Sequence, residues 1–396
     1  MSESLLRTAL VLGLLSCLGP FAIDMYLPAM PVIGANLGTS VQAMQSTITA
    51  YFIAFGLAQL VYGPWADRSG RKPPLYAGIA VFVVGSVICT FAPSVEWLLV
   101  GRFVQGLGGA AMMVVPRAII RDLYTGPAAT RLMAAVMLVI SISPMLAPLA
   151  GSGLMALWGW RAIFGALLVA SVASLAILVL FQPETLKPED RQPFNMAATK
   201  AGAARLLTDP LFMGLTFLGG IGMASFFVFI ASASFVYTQG FGLSPTGFSL
   251  AFAVNAIGFF ASSQLASPLG QRYGAPHVMA LASTGFAAIT VALFLLALAG
   301  GVTLIVCIAG LFLANACLGL IIPTTMVMAL DDHGDVAGLA SSLGGTLQML
   351  AGGVMIAAAG PFFDGTVTPM LGAIAVCGVL AFGLSRGVAQ RQAAAA

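Results

Sequence analysis

The sequence predicts an all-α polytopic membrane protein: twelve transmembrane helices in two pseudo-symmetric six-helix halves. Three observations predict it. Only 7% of the 396 residues are Asp, Glu, Lys or Arg, against about 25% in an ordinary soluble domain, so charges are too few to cover a water-facing surface. The chain is 60% hydrophobic, with a mean hydropathy of +1.02. The apolar residues also run continuously for about 20 positions at a time, the length a helix needs to cross a bilayer, whereas barrel strands alternate over about ten.

The first apolar run follows the lead "MSESLLR". It carries Pro20, Asp24 and Pro28 and has no small-x-small cleavage site, so it reads as a span and not as a cleaved signal. Hydropathy places spans at about 8–30, 42–66, 75–93, 96–122, 131–158, 161–182, 209–239, 246–270, 276–299, 301–329, 336–362 and 366–386. The polar, proline-rich stretch "QPETLKPEDRQPFNMAATKAGAARLL" reads as a loop. It divides the chain into an N-terminal half, 1–182, a cytoplasmic linker, 183–208, and a C-terminal half, 209–396. Basic residues set the orientation. With the N-terminus inside, Arg7, Arg68, Arg71, Lys72, Arg121, Arg131, Lys187, Arg191, Lys200, Arg205, Arg272, Arg386 and Arg391 all fall in cytoplasmic segments, 13 of the 16 Lys and Arg. Both termini are therefore expected in the cytoplasm.

An internal repeat supports the two halves. "GPWADRSGRKP" follows the second span and "SPLGQRYGAP" the eighth, at an offset of 204 residues, with Pro64, Arg68 and Gly70 matching Pro268, Arg272 and Gly274. Such repeats typify secondary transporters. The Gly63-Pro64 step is expected to end the second helix, and Gly70 to allow a tight turn. Asp67 suits a helix N-terminus, and Arg71 is placed to pair with Asp122.

This loop strongly resembles the signature between spans two and three of the major facilitator superfamily, with Gly63, Asp67, Arg68, Gly70, Arg71 and Lys72 fitting the pattern. "AIDMYLPAMP" in span one, "GRFVQGLGG" in span four and "PMLAPLAGSG…GWRAIF" across spans five and six are similar to the Bcr/CflA branch of twelve-span drug:proton antiporters. The resemblance implies the major facilitator fold around a central cavity and a gating role for Gly63, Asp67, Arg68, Gly70, Arg71 and Asp122. It also implies that Asp67 meets the start of span eleven, near 336–339.

Asp24 is a carboxylate inside a span, where a charge costs roughly 2.5–3.5 kcal/mol on insertion scales. It lies about 16 residues into span one, and Arg102 about six into span four, each roughly 9–10 Å from the outer face at about 1.5 Å per residue. Matching depth makes them an expected ion pair. The resemblance implies that Asp24, Arg102 and Gln105 couple proton movement. Span one lacks the second, deeper acid that some exporters of the resembling family carry, so the resemblance implies neither two-proton coupling nor strongly cationic substrates. In span five, the resemblance makes Pro144, Pro148 and Gly151 an imperfect antiporter motif that limits leak. Aromatic and polar residues expected to line the cavity are Tyr26, Tyr51, Phe55, Gln59, Phe226 and Asn255.

Other chemistry is expected to be absent. The five cysteines lie unpaired in apolar runs. "DDHGD" at 331–335 reads as capping for the next helix and not as a metal site. No nucleophile–base arrangement or phosphate loop is visible, so no enzyme activity, metal or cofactor is expected. The expected function is proton-driven export, by alternating access, of small, largely neutral or apolar drugs from a bacterial cytoplasmic (inner) membrane. The partners are the drug-like substrate, protons and the lipid bilayer, with no nucleic acid and a monomeric state. A transporter of a sugar or amino acid is the closer rival; a membrane enzyme or receptor is the distant one.

Overall fold

The computed structural model describes residues 3–124, 126–191, 196–331, 333 and 336–395. The side chains of Arg7 and Arg131 lie outside that description, as do Asp332, Gly334 and Asp335 of "DDHGD".

Among the described residues there is no strand, and twelve helices are long and apolar enough to cross a membrane. Spans one to six are Thr8–Asn36, Val41–Ser69, Lys72–Thr90, Val95–Leu123, Val136–Trp158 and Arg161–Phe181. Spans seven to twelve are Pro210–Gly240, Pro245–Tyr273, Ala275–Leu298, Leu304–Asp331, Ala337–Phe362 and Val367–Arg391. Continuous apolar sequence makes these helices because each one satisfies its own backbone hydrogen bonds, which a bilayer interior does not do for it.

Three local expectations are corrected. Span one is not one helix: it breaks after Asp24, passes through a 3-10 turn at Leu27–Ala29 and resumes as Met30–Asn36. Pro28 has no N–H to offer the Asp24 carbonyl, and the Tyr26 N–H bonds Ile23 O at 3.2 Å, so the α pattern fails there. The second helix does not end at Gly63-Pro64. It runs through Pro64 to Ser69 and stops where Gly70 takes φ 96°; a proline inside a helix bends it without necessarily ending it. The linker is not all loop, because the Ala- and Leu-rich segment Met196–Thr208 forms a helix.

The chain forms two compact units, Met1–Asn195 and Met196–Ala396, divided within the polar segment. In the first unit, span four packs on spans two and three, span one on spans five, four and six, and span three on span six. In the second, span ten packs on spans eight and nine, span seven on spans eleven, twelve and ten, and span nine on span twelve. The repeat persists in local detail. Spans two and eight are both 29 residues long and start 204 residues apart. Their N-caps, Ser40 and Ser244, each accept a backbone N–H three residues on, and each helix ends at a positive-φ glycine, Gly70 or Gly274.

Candidate functional site

The break in span one builds the site. Asp24 ends the first helical segment and is buried. Its Oδ2 accepts a hydrogen bond from Ser143 Oγ on span five at 3.3 Å. Ser143 is fully buried and directly precedes Pro144. Both Pro144 and Pro148 lie inside the span-five helix. One turn beyond Pro148, a Cβ on Gly151 would stand 2.1 Å from the Met25 carbonyl oxygen. Gly151 therefore lets span five's backbone touch the broken backbone of span one.

Arg102 reaches the same break from span four. The broken α pattern leaves the Ala22 carbonyl without its usual donor at Tyr26, and Arg102 Nη1 donates to it at 2.9 Å. The same nitrogen bonds Gln105 Oε1 at 2.9 Å, and Gln105 Nε2 donates to Ser86 Oγ at 2.8 Å. The guanidinium carbon lies 4.8 Å from the ring centre of Tyr26 and 4.4 Å from that of Tyr51. A desolvated cation over an aromatic face gains about 2 kcal/mol.

The expected Asp24–Arg102 ion pair is not formed. Among the described residues, no acid lies within ion-pair distance of Arg102. A backbone carbonyl and two tyrosine rings hold the cation instead, while a serine holds the acid. Arg102 Nε and Nη2 are buried without partners. Ser143 was not anticipated from sequence, since one serine in an apolar run gives no signal of its own.

Several expected lining residues turn inward. Tyr26 Oη shares a 2.7 Å hydrogen bond with Thr47 Oγ1, and Tyr51 Oη donates to Gly19 O at 3.2 Å. Phe55 stacks on Tyr51 at 5.9 Å, and both rings press on Gly19 and Gly109. Tyr26, Tyr51 and Phe55 are thus packed among helices and not displayed on an open surface. Gln59 is half-buried, with Nε2 unpartnered. In the second unit, Phe226 is half-buried and stacks on Phe259 at 5.4 Å, and Asn255 is fully buried.

The loop after span two is ordered around Arg71. Its guanidinium grips Asp122 twice, Nε to Oδ2 at 2.7 Å and Nη2 to Oδ1 at 2.9 Å, and also bonds Asp67. Burial opposes the Arg71 charge, but the Asp122 and Asp67 carboxylates outweigh it and raise its pKa above the ordinary value. Arg68 is exposed, and Gly63 has open space where a Cβ would go.

Sequence reading missed Glu184. Its carboxylate accepts the N–H groups of Arg71 at 2.8 Å and Lys72 at 3.0 Å, and so caps span three from 113 residues away in the chain. A Cβ on Gly70 would lie 2.6 Å from Glu184 Oε2, so the glycine admits the cap as well as making the turn. Burial pushes the Glu184 carboxyl up, but bonds from Arg71, Lys72, Leu186 and Thr185 N–H groups win and hold it below the ordinary range. A lowered folded pKa stabilises fully above the unfolded value, about 4.3, and the gain disappears as pH falls towards the folded value. Glu184→Gln should therefore lower Tm at pH 6–8, and the gap from wild type should close below about pH 4.

The N-cap of span eleven is Val336, whose side chain offers no acceptor, and the acids 332 and 335 expected to cap that helix lie outside the described residues. His333 meets Asp209, with Nε2 3.1 Å from Oδ2.

Residues 12–357 match the model of the family described as Major Facilitator Superfamily. A bicyclomycin resistance protein homolog of Haemophilus influenzae is 30% identical over 384 residues, covering 94% of each chain. A chloramphenicol resistance protein of Pseudomonas aeruginosa is 33% identical over 279 residues, 70% of this chain and 65% of that one. The crystal structure of a D-xylose-proton symporter superposes with a TM-score of 0.75, covering 97% of both chains at 16% identity, a likeness of fold. Twelve spans in two matching units, the ordered loop after span two and these relatives together place the chain in the Major Facilitator Superfamily, in its Bcr/CflA-type branch.

Proposed function

We propose that the protein exports small, largely neutral drug-like molecules from the cytoplasm of a bacterial cell in exchange for protons, working by alternating access in the inner membrane with both termini cytoplasmic. The observation that carries this reading is Asp24, a buried carboxyl at a helix break whose hydrogen-bond partner is a serine and not a cation.

Such a carboxyl has two arrangements open to it. Protonated, it rests on Ser143 in the apolar surroundings seen here. Ionised, it needs a counter-charge, and Arg102 carries two unused donors beside the same break. Exchange between them would pull the segment around Met25 towards span four and away from span five, so proton loading and helix movement become one event. Gln105 positions Arg102, and Gly151 lets span five follow the break. The Arg71–Asp122–Asp67 cluster and Glu184 would hold one conformation of the loop, in line with a gating role. Protons and a neutral drug are the partners in this scheme, and no cofactor enters it.

The test is a susceptibility panel in an efflux-deficient host that includes chloramphenicol. Wild type should raise the inhibitory concentration of at least one compound several-fold, and Asp24→Asn, expressed to the same level, should not. Equal protection by the two would overturn proton coupling at Asp24. No protection against any compound would favour a metabolite as substrate.

A further inference from the structure

Spans seven and twelve of the second unit leave an open apolar groove between them. Met213, Gly214, Phe217 and Ile221 line it from span seven, and Leu380 and Leu384 from span twelve. Phe217 and Leu380 remain exposed. The two helices touch at Gly214, where a Cβ would stand 3.0 Å from Val388 Cγ2. From that contact to Ile221 the groove runs about 10 Å, at about 1.5 Å per residue. A continuous apolar channel of this kind suits a flexible hydrocarbon chain.

One end of the groove is basic. Leu380, Leu384 and Arg391 fall at i, i+4 and i+11, one helical face at about 3.6 residues per turn. Arg391 is the last residue of span twelve and is exposed. Val388 is level with Gly214, so Arg391, three residues further on, stands about 4.5 Å beyond that contact, level with the first turn of span seven. Among the described residues it joins no ion pair. The last acid of the chain is Asp364, before span twelve begins, and the helix Met196–Thr208 that leads into span seven carries Lys200 and Arg205 and no acid. Asp209, at the start of span seven, is already engaged. Its Oδ1 accepts the Leu211 and Phe212 N–H groups at 2.7 and 3.0 Å, and its Oδ2 meets His333. The groove therefore suits hydrocarbon along its length and a negative charge at its end.

We propose that this groove seats an acyl chain of an anionic phospholipid, with the lipid phosphate held by Arg391. A guanidinium offers a phosphate two parallel N–H donors, and basic pockets between membrane helices select anionic headgroups. Arg386 supplies an internal comparison. It has the same charge on the same helix, but it lies on the face away from Leu384, with its guanidinium carbon 5.1 Å from the ring centre of Phe382. A lipid in the groove bridges spans seven and twelve and so stabilises the folded state it binds. Its place in the cytoplasmic leaflet rests on the orientation proposed above; the binding itself rests neither on that orientation nor on export.

The test is native mass spectrometry of the purified full-length protein in detergent, titrated with dioleoyl phosphatidylglycerol or with zwitterionic dioleoyl phosphatidylcholine, with Tm measured in parallel. Wild type should bind phosphatidylglycerol more tightly than phosphatidylcholine, and phosphatidylglycerol should raise its Tm. Arg391→Gln should weaken phosphatidylglycerol binding roughly tenfold, remove its effect on Tm and leave phosphatidylcholine binding unchanged. Arg386→Gln should behave as wild type does. Leu380→Trp, which fills the groove from an exposed position, should weaken binding of both lipids. Equal binding of the two lipids by wild type would overturn the proposal. Equal losses in Arg391→Gln and Arg386→Gln would reduce the effect to surface charge and overturn it too. Wild-type lipid binding by Leu380→Trp, with its lipid-free Tm unchanged, would place the chain elsewhere and overturn the groove. Displacement of the lipid by glycerol 3-phosphate alone would mark a site for free phosphate and overturn the lipid as occupant. Each result stands whatever the susceptibility panel shows.

Discussion

Replacing Arg102 by methionine should abolish transport and destabilise the protein. The side chain is fully buried and serves four partners. It satisfies the Ala22 carbonyl freed by the break in span one, it holds Gln105, and it lies between the rings of Tyr26 and Tyr51. A hydrogen bond to a charged group is worth about 1.5–3 kcal/mol, so loss of two such bonds and the ring contacts should lower Tm markedly. Methionine fills the volume but leaves the carbonyl unpaired in an apolar setting. Arg102→Lys should rescue poorly, because an ammonium is a compact point charge and lacks the planar fork that stacks on rings while donating sideways. Export in everted vesicles should fall to background in Arg102→Met and stay below a tenth of wild type in Arg102→Lys. Wild-type transport by Arg102→Met would show that transport needs no cation at the break in span one.

Gly151→Ala is the second large effect. The added Cβ would stand 2.1 Å from the Met25 carbonyl oxygen, a contact with backbone and not with a flexible side-chain end. Spans one and five must separate, and overpacking of this kind typically costs about 1–3 kcal/mol. The displaced backbone is the turn that follows Asp24, so export should drop well beyond what the loss of folded protein explains. Gly153→Ala is the matched control: a Cβ there meets nothing within 4 Å, and export should remain at the wild-type level. Equal behaviour of the two variants would mean that the close approach has no functional part.

Much of this architecture was legible in the sequence because each transmembrane helix carries its own signal. Twelve apolar runs became twelve spans, and the 204-residue offset reappeared as two 29-residue helices with matching serine caps and glycine ends. The site was legible as a place but not as a set of bonds. Equal depth brought Asp24 and Arg102 to one level, but which partner each takes depends on helix rotation and on the carbonyl at Ala22, which is released only when span one breaks. The spacing of Tyr51, Phe55 and Gln59 marks one helical face. It does not say that span one and span four cover the first two. Glu184 escaped because a cap reaching across 113 residues leaves no local pattern, and the helix at Met196–Thr208 escaped because a polar average hid its alanines.

Proton movement through purified protein decides the central claim. Proteoliposomes loaded with a pH-sensitive dye, holding either wild type or Asp24→Asn in equal amount, are challenged with chloramphenicol and the other compounds of the panel. If Asp24 is the coupling group, at least one compound drives a pH change through wild type and none does so through Asp24→Asn. A compound that moves protons equally through both would contradict the account and leave Asp24 as a buried acid that only shapes the break in span one.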